Sequence, residues 1–269
     1  MTRLAVVVFN LGGPDSPGAV QPFLFNLFHD PAIIGVPQPL RWLLARLISR
    51  RRAPTAQEIY GHLGGKSPLL EFTQAQSDAL AEELSGGDDA VKVFVCMRYW
   101  HPMADAVAAA VQAYAPDEIV LLPLYPQFST TTVGSSLKDW RRAATKAGLS
   151  APTCAACCYP TDKGWIAAQA DLVGQAVADV PGGVRVLFSA HGLPRKVVDG
   201  GDPYQWQVEQ TAAAVVSAMG GHDDWMVCYQ SRVGPLEWIG PSTEDELARA
   251  AKDGTGVIIV PIAFVSEHS

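Results

Sequence analysis

Six short, near-continuous apolar runs organise the chain: LAVVVFN (4–10), VKVFVCM (91–97), EIVLLPLY (118–125), VRVLFSA (184–190), WMVCYQ (225–230) and GVIIVPIAF (256–264). They are β-branched and do not alternate with polar residues, which predicts strands covered on both faces. Between them the apolar spacing turns helical, over Phe72–Leu84, Pro102–Ala113, Ser136–Ala147, Trp165–Val180, Tyr204–Met219 and Thr243–Lys252. Strand–helix alternation of this kind predicts an α/β fold with parallel sheets flanked by helices.

The runs also echo one another. FNLGGP corresponds to SAHGLP, VFVCMRY to WMVCYQS, and LLPLYPQFS to IIVPIAFVS. We therefore expect two similar Rossmann-like domains, residues 1–150 and 151–269. Ligands of such sheets sit outside the carboxyl ends of the strands. The matched segments would then face a cleft between the halves, with His191 of SAHGLP at its rim.

Composition narrows the function classes. The 269 residues are 48% hydrophobic and 17% charged, ordinary for a globular protein. A formal net charge of −7 argues against a nucleic-acid surface, which needs a basic footprint. No run approaches the roughly 20 apolar residues of a membrane span. The opening MTRLAVVVFNLGGP has no small-residue cleavage site and runs into a Gly-Gly-Pro turn, so it reads as a first strand and not a signal peptide. An odd cysteine count (Cys96, Cys154, Cys157, Cys158, Cys228) without a signal points to a reducing cytoplasm.

Several motifs admit two readings. LGGPDSPG follows a strand, but it lacks G-x-G-x-x-G spacing and Pro14 removes an N–H, so a tight turn is preferred to a phosphate loop. PLRWLLARLISRRRAP puts Leu40, Leu43, Leu44, Leu47 and Ile48 on one helical face ahead of Arg50, Arg51 and Arg52. Periodicity favours a packed amphipathic helix over a lip that meets membrane or an apolar ligand. The close thiols of PTCAACCYPT read first as buried structural cysteines and second as metal ligands. YPQFSTTTVGSS, QSRVGPLEWIGP and FVSEHS follow strand ends with aromatics and a few acid–base groups, which suits a large, flat, mostly apolar ligand.

The ordered set NLGGPDSP, RRRAPTAQEIYGHLGGKSPL, MRYWHP, LYPQFSTTTVGSS, SAHGLP, GDPYQWQ, QSRVGPLEWIGP and PIAFVSEHS resembles the bacterial ferrochelatase family across essentially the whole chain. The resemblance implies a pair of Rossmann-like halves around a porphyrin cleft and insertion of ferrous iron into protoporphyrin IX to form protohaem. It makes His191 the residue facing the macrocycle nitrogens, as proton acceptor or iron ligand. It associates Arg52, Tyr60 and Ser67 with the propionates. Leu11, Arg98, Tyr99, Tyr125, Gln230, Trp238 and Phe264 match cleft-lining positions, and His268 matches the second active-site histidine. Glu267 is a carboxylate in the same loop that could stand in for a family glutamate only if the loop is helical there. The alternatives are a porphyrin or haem carrier without chemistry and a chelatase for another tetrapyrrole such as coproporphyrin.

These residue types suit metallation. Fe²⁺ must shed water, the pyrrole nitrogens must be exposed by bending the ring, and two N–H protons must leave. Aromatic walls grip the ring periphery, a guanidinium suits a carboxylate, and an imidazole accepts a proton or binds iron. The resemblance also brings expectations of absence and location. The [2Fe-2S] members of the family draw most ligands from a C-terminal segment this sequence does not contain, and a loop cysteine of some members is Thr130 here; Cys157 and Cys158 remain the candidate ligands, with structural thiols preferred. We expect a cytoplasmic protein, peripheral on the inner face of the cytoplasmic membrane through the Leu40–Ile48 helix. We further expect a chain truncated one residue before a family glutamate, with a broken proton-transfer pair and weak activity.

Overall fold

A computed structural model describes residues 2–87, 89–231 and 236–265. Two compact units emerge, Met1–Tyr125 with Thr130–Cys157, and Pro126–Ser129 with Cys158–Val265. In the first, β1 (Arg3–Asn10), β2 (Ala90–Met97), β3 (Glu118–Pro123) and β4 (Thr153–Ala155) form a parallel sheet in the order β2-β1-β3-β4. The helices are α1 (Val20–His29), α2 (Gln38–His62), α3 (Leu69–Leu84), α4 (Ala104–Tyr114) and α5 (Val133–Ala147). Because β4 pairs with β3, the first sheet extends past residue 150. From Ala5 to Asn10 every residue of β1 is buried, which is why that run shows no alternation.

In the second unit β5 (Val184–His191), β6 (Trp225–Gln230) and β7 (Gly256–Pro261) form a parallel sheet ordered β6-β5-β7 among the described residues. α6 (Lys163–Ala178), α7 (Arg195–Asp199), α8 (Tyr204–Ala218) and α9 (Thr243–Asp253) complete it. The α8 residues Val208, Ala212 and Val215 pack with Val186 and Phe188 of β5 in one apolar core. The helix starts follow local chemistry. Asp162 accepts the Trp165 N–H at 3.0 Å ahead of α6, and Ser242 accepts the Asp245 N–H at 3.1 Å ahead of α9. No helix among the described residues is long and apolar enough to cross a membrane.

The two sheets repeat in register. Phe9 lies between Cys96 and Pro123, and Ser189 between Cys228 and Pro261. The Met97 N–H donates to the Pro102 carbonyl (2.7 Å), and the Tyr229 N–H to that of Pro241 (2.9 Å). By the same offset His191 is the counterpart of Leu11, one residue beyond β1.

Two elements depart from the periodicity. α1 went unread because Pro22 looks like a break; it sits in the first turn, where its missing N–H has no helical partner to lose. α2 is longer than the leucine pattern suggests, and its packed face is different. Ala45, Ser49 and Ala53, four residues apart, are buried in contact with α1, while Leu40, Leu43 and Leu47 stay 50%, 56% and 44% exposed. Small residues let two helices approach closely, so Leu40, Leu43 and Leu47 are left facing outward while Leu44 and Ile48 are half-buried. The packed-leucine reading of this helix is thereby corrected.

Candidate active site

In the first unit the site residues cluster where β1 ends. Asn10 is buried; its side-chain oxygen accepts the Leu11 N–H (2.8 Å) and its amide donates to Thr73 Oγ1 (3.0 Å). The carbonyls of Asn10 and Leu11 accept the N–H groups of Arg98 and Tyr99, each at 2.9 Å, so the turn after β2 is tied to the turn after β1. The Ser67 N–H donates to the Pro14 carbonyl at 2.8 Å. Ser67 thereby lies so close to Gly13 that a Cβ there would come 2.4 Å from both Ser67 Cβ and Oγ. Glycine is required by this approach, not by any phosphate.

Arg52 is exposed on α2, its Cζ 6.0 Å from the Phe28 ring centroid. Neither it nor Arg50 or Arg51 forms a salt bridge among the described residues. Tyr60 is half-buried in the last turn of α2. Tyr99 and Tyr125 are shut from solvent, 1% and 2% exposed, and burial raises both phenol pKa values. Neither ring presents a surface to solvent.

Arg98 is the centre of a charged network. Its Nη2 donates to Asp30 Oδ2 at 2.7 Å, its Nε to Ser135 Oγ at 2.7 Å, and its Nη1 lies 3.5 Å from Asp139 Oδ2. Burial alone would raise the Asp30 carboxyl pKa. The Arg98 charge and hydrogen bonds from Ser135, Ala32 and Tyr99 outweigh it and hold the group below its usual value. Asp30, Arg98, Thr130, Ser135, Lys138 and Arg142 border a cavity of about 470 Å³.

In the second unit His191 closes β5, paired in register with Gln230. The next residues clip onto the Trp238 loop. The Gly192 N–H donates to the Gln230 carbonyl (2.8 Å), the Ile239 N–H to that of Leu193 (3.0 Å) and the Arg195 N–H to that of Glu237 (2.9 Å). A Cβ on Gly192 would come 2.9 Å from the Gln230 carbonyl oxygen and 3.3 Å from the Trp238 ring. The His191 backbone N–H faces the buried Tyr204 hydroxyl. His191 reaches solvent, yet enough protein surrounds it that desolvation lowers its pKa below 6.5. Such an imidazole is neutral at pH 7 and keeps a nitrogen lone pair for a proton or a metal. Phe264, just past β7, packs against the core of this unit.

The sequence-predicted residues thus fall into two sets. Leu11, Ser67, Arg98 and Tyr99 gather at the β1 and β2 ends, and His191, Gln230 and Trp238 at the β5 and β6 ends. Glu267 and His268 lie outside the described residues. Asn10, Asp30, Ser135 and Tyr204 were not singled out from sequence, although the strand-end asparagine of FNLGG carried a signal. The thiols differ from expectation. Cys154 and Cys157 are exposed and Cys158 is half-buried, so they are not buried structural cysteines. No three metal-binding side chains converge among the described residues. Cys96 and Cys228 are the buried pair; burial pushes the Cys96 thiol up to about 12.

The fold resembles that of SirB from Bacillus subtilis, solved with Fe3+, at a TM-score of 0.54 and 12% identity over 100% of this chain and 79% of that one. The two share a fold of parallel sheets flanked by helices. Sequence similarity is narrower. The ferrochelatase family model matches residues 3–269. Ferrochelatases of Phenylobacterium zucineum and Caulobacter vibrioides are each 56% identical over 99% of this chain and 78% and 77% of their own lengths. That of Pelagibacter ubique is 51% identical over 99% of this chain and 78% of its own. The chain belongs to the ferrochelatase family, and with it to the metal-inserting lyases.

Proposed function

We propose that the chain inserts Fe²⁺ into protoporphyrin IX, with His191 as the residue facing the ring nitrogens. The observation that carries this reading is the neutral imidazole of His191 at a strand end, its backbone clipped against Trp238 and Gln230. The reaction balances as Fe²⁺ entering while two pyrrole N–H protons leave, giving neutral haem. His191 accepts one of those protons at a ring nitrogen or hands iron to the macrocycle through the same lone pair. Glu267 and His268 are proposed to take part in removing the second proton. Metallation changes no oxidation state, so it needs no iron–sulfur cluster, and we keep Cys157 and Cys158 only as candidate ligands for one.

Arg52, Tyr60 and Ser67 are proposed to hold the propionates, and Leu11, Arg98, Gln230, Trp238 and Phe264 to line the porphyrin. Tyr99 and Tyr125 back that lining. The exposed leucines of α2, followed by Arg50, Arg51 and Arg52, support a weak peripheral contact with anionic lipid, which suits a poorly water-soluble substrate. The contact we propose is with the inner face of the cytoplasmic membrane.

The test is anaerobic metallation of protoporphyrin by the chain and by His191→Ala, followed by porphyrin fluorescence. The variant should bind porphyrin and not metallate it. Undiminished turnover in His191→Ala would remove the histidine from the chemistry, and porphyrin binding without metallation by the parent would identify a carrier. Competitive turnover with coproporphyrin decides between the two tetrapyrroles.

A further inference from the structure

We propose that Asp30 is a positioning residue for porphyrin binding, acting by holding Arg98 in the orientation that the ligand meets. This rests on the chelatase reading above, in which Arg98 lines the porphyrin, and adds to it a carboxylate with no assigned role.

Asp30 follows the last residue of α1 and is buried, its side chain only 3% exposed against 17% for Arg98. Its two oxygens do different work. Oδ1 accepts the Ala32 N–H at 2.8 Å, and the Asp30 backbone carbonyl accepts the N–H groups of Ile33 (3.0 Å) and Ile34 (2.9 Å), which fixes the turn after α1. Oδ2 accepts from Arg98 Nη2 (2.7 Å), from the Tyr99 hydroxyl (2.8 Å) and from Ser135 Oγ. One carboxylate thus joins α1, the turn after β2 and the first turn of α5. The guanidinium is further fixed from Ser135, and its Cζ sits 4.9 Å over the Tyr99 ring. Three of its five N–H bonds are committed inward, and the rest of its edge borders the cavity shared with Thr130, Lys138 and Arg142.

Only a carboxylate satisfies this set. An amide at position 30 has one acceptor oxygen, so its NH₂ must face either the Ala32 N–H or the cluster of Arg98, Tyr99 and Ser135 donors. In either arrangement a buried donor loses its acceptor, and Arg98 loses its closest counter-charge. The guanidinium then keeps only the Ser135 hydroxyl at 2.7 Å and the longer 3.5 Å approach to Asp139 to orient it. Because Arg98 meets the ring periphery and not the reacting nitrogens, the loss falls on binding shared by ground and transition states.

The experiment is a kinetic double-mutant cycle on the full chain, with porphyrin as the varied substrate. Asp30→Asn should raise the porphyrin KM about tenfold and leave kcat within about twofold. Arg98→Gln should do the same, and Asp30→Asn added to Arg98→Gln should change KM by less than about twofold, since the carboxylate acts through the guanidinium. A parental KM in Asp30→Asn, a loss confined to kcat, or fully multiplicative effects in the double variant overturns the proposal. If Asp30→Asn does not fold, Ser135→Ala is read instead. It removes the hydroxyl bridging Asp30 and Arg98 and should raise KM about threefold, and an unchanged KM there overturns the proposal equally. A parent chain that fails to bind porphyrin overturns the chelatase reading and this proposal together. A parent that metallates normally beside an unaffected Asp30→Asn overturns this proposal alone.

Discussion

Gly13→Ala tests whether the close approach of the β1 turn to Ser67 holds this end of the site together. The new methyl carbon would lie 2.4 Å from Ser67 Cβ and Oγ, well inside any tolerable contact, while the Ser67 Cα is 3.9 Å away. Ser67 cannot simply swing aside, because its Cβ is fixed by a backbone whose N–H is bound to the Pro14 carbonyl at 2.8 Å. The turn must move, and overpacking of this kind costs about 1–3 kcal/mol. At 2–4 °C per kcal/mol for a chain of this size, the melting temperature should drop by roughly 2–12 °C. The same geometry specifies the rescue. Ser67→Gly removes both clashing atoms and leaves only the ordinary contact with Cα. Its own cost is about 1–2 kcal/mol, from the lost Leu69 N–H···Oγ bond at 3.3 Å and from chain entropy. The double variant should therefore be more stable than the sum of the two singles by about 1–3 kcal/mol. Gly174→Ala, with nothing within 4 Å of its added carbon and a place inside α6, is the control; it should be stabilising by about 0.5–1 kcal/mol. Thermal and urea unfolding of the four proteins decide the matter. A Gly13→Ala chain within about 0.5 kcal/mol of the parent, or strict additivity in the double, would refute the steric reasoning.

Further outcomes follow from the site. With the His191 pKa held below 6.5, the acid limb of kcat/KM should have its midpoint below pH 6.5; a midpoint above it contradicts the burial argument. The unfolded chain binds the His191 proton first as pH falls from about 6.5 toward the depressed folded value, so stability should decline across that window, and His191→Ala should flatten the decline in a melting-temperature series. Arg52→Ala should raise the porphyrin KM more than it lowers kcat, and an unchanged KM would take the guanidinium off the propionate. Co-sedimentation with anionic vesicles should weaken with salt and with Leu43→Glu; binding indifferent to both would leave the exposed α2 face without a lipid role.

The sheets were legible because β1 and β5 are buried along most of their length, and β3 is at least half-buried beyond Glu118, so all three read as unbroken apolar runs. α2 was not, because periodicity reports where apolar side chains align and not which face is covered. There the covered face is Ala45, Ser49 and Ala53, residues whose small size matters more than their hydrophobicity. His191 could be placed at a strand end by counting. The oxygens that tune and hold the site residues could not, since Asp30 meets Arg98 across 68 positions and Asn10 meets Thr73 across 63, and no local pattern encodes such pairs. The cysteines misled for a related reason. Cys154 lies on β4, an edge strand of three exposed residues, where a small apolar side chain gains little burial.

The shared register of the two sheets makes each half an internal reference for the other. Both suspend the strand beside the central one from a proline carbonyl, both flank the central strand with a cysteine and a proline, and both release it into a glycine-containing turn. Whatever differs at matched positions is therefore not demanded by the architecture. Phe9 is answered by Ser189, and Leu11 by His191, so one copy carries apolar side chains where the other carries a hydroxyl and a titratable ring. A division of labour of this kind lets a repeated scaffold serve a reaction that has no such repeat of its own, one metal ion entering as two protons leave.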